Sequence, residues 1–210
     1  MASNSPANRS LLLVVVAAGA LAAGLLAAIW LQKPAATVTL QSGTLLPQPR
    51  PLADFQAIDQ DGQAVGRAQL EGRWTLLFAG FTACPDVCPT TLAMLKNVKA
   101  QLGDDAGKLQ MEFFSVDPER DTPERLKQYV QYFDPDFRAM TAPEPELQKM
   151  ARMLGIAYAK VPGADAASYT MDHSAALILL DPQARLAGFL TPPFDPAKLA
   201  ADLRVVLGRP

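Results

Sequence analysis

The apolar positions fall into one long unbroken run and a series of short ones. Residues 11–31 carry no charge, and Gly19 and Gly24 are the only breaks in an otherwise apolar stretch. At about 1.5 Å per residue the run makes a helix of about 31 Å, which matches a hydrocarbon core of about 30 Å. Inside lipid only a helix satisfies the backbone of a single apolar segment. A secretory signal core is shorter, about 7–15 residues, so the run reads as a retained transmembrane anchor rather than a cleaved leader. Residues 1–10 form the short cytoplasmic leader, with Arg9 as its only charge, and Lys33 lies just beyond the run. A short N-terminus ahead of a large C-terminal part favours an N-in orientation. The leader lacks the Arg-rich amphipathic character of a mitochondrial presequence. The expectation is a single-pass protein of a bacterial inner membrane with its C-terminal domain in the periplasm.

Residues 32–51, rich in Pro, Gln, Thr and Ser, read as a linker leading into short extended pieces, and residues 52–210 as one globular domain. Asp61-Gly62 between modest apolar stretches predicts a hairpin. Residues 74–81 (WTLLFAGF) are continuously apolar, as a central strand covered on both faces must be. Leu92, Leu95, Val98 and Leu102 recur at helical spacing, with Thr90 or Thr91 as expected cap. Residues 111–116 (MEFFSV) predict a second buried strand. Thr122-Pro123-Glu124 opens a helix to about residue 132, with Pro at its first position. Leu147, Met150 and Leu154 mark a helix stopped by Gly155. Residues 175–180 (AALILL) form another buried strand, turned by residues 181–184 into a partner at 185–190. An amphipathic helix closes the chain at 196–207. The order is β-β-α-β-α-α-β-β-α, which describes an α/β domain of thioredoxin-like type, a central mixed sheet flanked by helices, behind an N-terminal transmembrane helix.

Composition then narrows the chemistry. The 210 residues carry 19 Lys+Arg against 21 Asp+Glu, a net charge of −2. That balance excludes a nucleic-acid binder. Two cysteines exclude a disulfide-dense scaffold and a four-cysteine metal site within one chain, and one histidine excludes a multi-histidine cage. The 50% hydrophobic content averages the anchor with an ordinary globular domain.

Cys84 and Cys88 stand in F-T-A-C-P-D-V-C-P-T-T-L, directly after a buried strand and before a helix. Amides at a helix start and the macrodipole lower a thiol pKa there. The C-x-x-x-C spacing places both sulfurs on one side of a helical turn. They can close a small disulfide ring or present two thiolates to one soft ion. A permanent structural disulfide is the plainer alternative, but so small a ring constrains little of the unfolded chain. His173, in Y-T-M-D-H-S-A-A just before a strand, is placed to face the cysteine loop in a thioredoxin-like sheet. Two thiolates and an imidazole suit copper as Cu(I) or Cu(II), whereas zinc would want a fourth ligand. Met150 and Met153 have core-like helical spacing. Met171 is the one methionine near the histidine, and packing is its plainer role too.

At these residues the chain resembles the SCO/SenC family of copper-binding assembly factors. The resemblance is carried by C-P-D-V-C-P-T-T-L at 84–92, S-V-D-P-E-R-D-T-P at 115–123 and D-H-S at 172–174, in the family's order. It implies a thioredoxin-like domain outside the cytoplasm, with copper held by Cys84, Cys88 and His173. It also implies a metallochaperone rather than an enzyme, which receives copper from a donor chaperone and delivers it to the dinuclear site of cytochrome c oxidase subunit II. Asp117 matches the family's acidic position, in a supporting or partner-facing role. Asp172 could orient His173 by a hydrogen bond. The competing reading is a thiol–disulfide reductase that maintains the cysteines of that site, or a redox sensor, with Cys84 and Cys88 as the redox pair.

Overall fold

The computed structural model describes residues 6–31, 39–163 and 168–208. It divides into two compact units, Met1–Val38 and Thr39–Pro210. In the first, α1 (Pro6–Leu31) is helical over the whole apolar run. Its described side chains, residues 13–25, are exposed. Among the described residues no helix is long and apolar enough to cross a membrane. The first residues of the leader (1–5) and of the linker (32–38) lie outside the described residues.

The second unit is built on an eight-stranded mixed sheet. Its strands are β1 (Gly43–Pro51), β2 (Ala57–Asp59), β3 (Ala64–Val65), β4 (Trp74–Gly80), β5 (Leu109–Ser115), β6 (Arg138–Thr141), β9 (Leu177–Leu180) and β10 (Arg185–Leu190). Their order across the sheet is β1-β10-β9-β4-β5-β6-β2-β3. The two remaining strands, β7 (Tyr158–Pro162) and β8 (Tyr169–His173), pair only with each other. Among the described residues four α-helices complete the unit: α2 (Val87–Leu102), α3 (Pro123–Phe133), α4 (Glu146–Leu154) and α5 (Pro196–Leu207).

The continuous apolar runs become the centre of the sheet. All seven residues of β4 and all seven of β5 are buried, and the two strands run parallel, joined by the α2 crossover. The 181–184 turn joins β9 to β10 as an antiparallel pair. The Asp61-Gly62 turn joins β2 to β3, with Gly62 at φ +74°. Thr122 caps α3 by accepting the Arg125 N–H, and Gly155 ends α4 in the left-handed region at φ +73°.

Three local expectations shift. Helix α2 begins at Val87 with Asp86 at its cap position, ahead of Thr90 and Thr91. The chain can enter the helix early because Pro89 falls in the first turn, where its missing N–H would have had no partner. The stretch read as linker gives way to β1, an edge strand on β10. Pro47 and Pro49 hid it, yet proline is tolerated at an edge, and the register shifts between Leu45 and Arg50. Asp202 of α5 also pins the chain there, accepting the Gln41 and Ser42 N–H groups at 2.9 and 2.7 Å. Strands β6, β7 and β8 are the remaining additions. They are short, and exposed residues alternate irregularly along β7 and β8.

Candidate metal centre

The loop that leaves β4 and enters α2 carries both cysteines, and both thiols are free. Cys84 lies half-buried before the helix and Cys88 is buried within its first turn. The Cys88 N–H points at Cys84 Sγ across 3.5 Å. Gly80 is what lets Cys88 in. A Cβ there would stand 2.7 Å from Phe113 Cε2 and 3.0 Å from Cys88 Sγ, so a side chain would fit only if the Phe113 ring shifted and the sulfur gave slightly.

The two thiols are electrostatically unequal. Burial alone would raise Cys84, but the N–H groups of Cys88, Asp86 and Val87, with the Cys88 side chain, draw it below its ordinary value. Burial pushes Cys88 far above the usual thiol range. The Phe81 backbone relieves this only in part, while Cys84 and Asp121 add to it. Cys84 is therefore the more accessible and more acidic sulfur and Cys88 the concealed one.

His173 ends β8, and its Nε2 stands 3.7 Å from Cys88 Sγ. Its Nδ1 is 3.0 Å from the Ser174 carbonyl oxygen, which a ring N–H there would satisfy, leaving Nε2 bare toward the sulfur. The rings of Phe78 and Phe81 meet the imidazole edge-on, at centroid distances of 6.2 and 6.1 Å. The structure thus brings Cys88 and His173 together, with Cys84 on the adjoining loop. The three are not closed into a cage: among the described residues no group of three or more His, Cys, Asp and Glu side chains has metal-holding geometry.

Asp172 does not take the orienting role expected of it. It lies exposed on β8, and the backbone carbonyl of Ser174 faces the Nδ1 instead. Asp117 is only 2% exposed, so it cannot face a partner. It accepts from Arg120 Nε and, at 2.8 Å, from the Tyr169 hydroxyl. The Arg120 guanidinium also lies 3.7 Å over the Tyr169 ring and donates to the Tyr169 carbonyl at 3.0 Å. This cluster ties the β5–α3 loop to β8, the strand that carries His173. Met171 is buried and lines a cavity of about 480 Å³ with Val116, Leu147 and Tyr158.

One buried residue that braces the cysteine loop went unassigned in the sequence. Asp121, 1% exposed, accepts the Thr82 N–H at 3.0 Å, the Thr82 hydroxyl at 2.5 Å and the Ser115 hydroxyl at 2.6 Å. It fastens the cysteine loop to the end of β5. It stood inside the 115–123 motif, but nothing in that motif says that its partner is Thr82.

A family model described as SCO1/SenC matches residues 45–208. A Stutzerimonas stutzeri protein whose name refers to copper binding is 37% identical over 151 residues, covering 71% of this chain and 73% of its own. An SCO2-like protein of Rickettsia conorii is 36% identical over 129 residues, 61% of this chain and 63% of that protein, so the match spans less than two thirds of that relative. Among solved structures, Bradyrhizobium japonicum ScoI with copper bound superposes with a TM-score of 0.67 at 40% identity, covering 74% of this chain and 98% of that one.

Proposed function

The chain belongs to the SCO1/SenC family, and on that premise we propose that it is a copper chaperone in which Cys84, Cys88 and His173 hold one copper ion. The observation that carries this reading is the 3.7 Å approach of Cys88 Sγ to His173 Nε2, with Cys84 Sγ on the same loop. Copper is bound in the related ScoI structure. As Cu(I) enters, each thiol releases its proton to solvent and each sulfur becomes a thiolate ligand, while the imidazole binds through its bare nitrogen. Cys84 is half-exposed, so it is the donor free to turn inward and complete the set. For the same reason it is the first to be exchanged for a sulfur of the recipient. Asp121 holds the cysteine loop, and the Asp117–Arg120–Tyr169 cluster holds the histidine strand, so two independent tethers fix the two halves of the site. The recipient in this reading is the dinuclear copper site of cytochrome c oxidase subunit II. A separate chaperone supplies the copper, and residues 11–31 anchor the domain at the periplasmic face of a bacterial inner membrane.

The test is anaerobic copper titration of the full chain in detergent. About one copper per chain is expected for the wild type. His173→Ala should weaken binding strongly and remove the imidazole signature from the Cu(II) spectrum, and unchanged affinity would sink the ligand set.

The inequality of the thiols favours a second reading, a thiol–disulfide reductase. The Cys84 thiolate would attack a partner disulfide and release one partner thiolate. The Cys88 sulfur would then attack Cys84 and release the other, so the partner gains two electrons and this pair becomes the disulfide. Copper-free turnover retained in His173→Ala would favour it.

A further inference from the structure

A cavity of about 400 Å³ lies where β4, β5 and β6 begin, at the end of the sheet opposite the cysteine loop. The three strands run parallel as neighbours. Arg73 just ahead of β4, Gln110 early in β5 and Arg138 at the start of β6 therefore come together in its wall. The Gln110 side chain is buried, and its Oε1 accepts from Arg73 Nη2 at 3.2 Å and from Arg138 Nη1 at 3.4 Å. Its Nε2 donates to the buried Glu112 at 3.0 Å, which holds the amide with its oxygen toward the two cations.

Two guanidiniums on one neutral oxygen are poorly balanced. Like charges brought together repel, and an amide sets only a partial charge against them. Among the described residues Arg73 has no carboxylate within ion-pair distance. Arg138 has Glu112 at 4.0 Å, a carboxyl whose burial holds its proton on up to about 7. Lys99 also lines the cavity, but Asp134 and Asp136 accept from its ammonium at 2.7 and 2.8 Å, and Asp136 is itself part of the wall. The surplus positive charge thus belongs to the two arginines, in a chain whose net charge is −2.

We propose that this cavity binds a phosphate group between the Arg73 and Arg138 guanidiniums. The planar guanidinium fork matches phosphate oxygens two at a time. A phosphomonoester brings a charge of about −1.5 to −2 at pH 7, which answers two arginines where a single carboxylate answers one. The buried amide then acts as a spacer that holds the forks apart at the width of one anion. The site lies on the far side of the sheet from Cys84 and Cys88 and does not depend on the copper reading.

The test is a titration of the full chain in detergent with inorganic phosphate, followed by amide NMR at constant ionic strength. The resonances of Arg73, Gly107, Gln110 and Arg138 should shift saturably while those of Cys84 and Cys88 stay in place. Arg73→Gln and Arg138→Gln should each weaken binding about tenfold, as loss of hydrogen bonds to a charged group implies. Arg73→Lys should weaken it too, because the charge stays but the fork is lost. Arg73 is exposed, so its variants should unfold like wild type without phosphate and keep the test open if Arg138→Gln folds poorly. Glycerol phosphate in the water and phosphatidic acid in the micelle present the same phosphomonoester, and whichever moves these resonances identifies a dissolved ligand or a lipid headgroup. Shifts that chloride reproduces, shifts that never saturate, or wild-type affinity in Arg73→Gln overturn the proposal.

Discussion

Among the carboxylates buried on or just beyond β5, the protein treats Asp121 and Glu112 differently. Asp121, at the end that carries the cysteine loop, receives three donors at 2.5–3.0 Å from Thr82 and Ser115. Glu112, in the middle of the same strand, receives one good donor, Gln110 Nε2 at 3.0 Å, and its nearest cation is Arg138 Nε at 4.0 Å. The register that sets Glu112 beside Arg138 on β6 provides a neighbour but not a bonded pair. The desolvation of Glu112 is thus only partly offset, and burial pushes its pKa up to about 7 against the pull of Arg138 and Gln110. A saturated carboxylate works as a rivet. An undersaturated one is a weak point whose charge depends on pH. The rivet sits where the cysteine loop meets the end of β5.

The sharpest way to break the contrast is Asp121→Ala. It leaves the Thr82 and Ser115 donors unpaired in the interior, and a loss of about 3 kcal/mol in denaturant unfolding is expected, together with weakened copper binding as the cysteine loop slackens. A variant that unfolds like wild type would show that Asp121 is no rivet.

Glu112→Gln should act in the opposite direction. Because the folded pKa of Glu112 is raised from 4.5 to about 7, the folded state holds its proton more tightly than the unfolded chain does. Its contribution is fully present below about pH 4.5 and is lost as pH rises through about 7, to a total on the order of 3 kcal/mol. Unfolding free energies measured from pH 4 to pH 8 should decline across that window in the wild type and much less in Glu112→Gln. A wild-type profile that rises through it would contradict the assignment.

The smallest effect belongs to the tether on the histidine side. Tyr169→Phe deletes one hydrogen bond to Asp117 and leaves the Arg120 contacts in place, so about 1 kcal/mol of stability should go. Hydrogen exchange should speed up in β7 and β8 while β4 and β5 stay protected. Uniform exchange across the domain would show that the hairpin is not held locally.

Much of the frame was legible because it rests on local signals. The run at 74–81 read as a central strand, Thr122-Pro123 as a helix start and Gly155 as a helix stop, since each depends on residues within one turn or one strand. β1 was missed because its prolines resemble linker, and only the waiting edge of β10 makes them a strand. The cysteine pair and the lone histidine were found by their chemistry and placement. Asp172 was expected to orient His173 because it adjoins it in sequence, yet along a strand adjacent side chains point to opposite faces. Asp121 went unassigned because its acceptor role joins residues 6 and 39 positions away.

The sequence by itself determined the apolar N-terminal run, the α/β frame, and the three soft or borderline donors, because hydrophobic periodicity, caps and donor chemistry are properties of short stretches. The tertiary structure alone decided which cysteine is hidden and that His173, 85 positions from Cys88, comes to face it. It also decided that one buried carboxylate is satisfied while another is not. Those outcomes depend on strand order and register across the sheet, and on how much water each seat excludes.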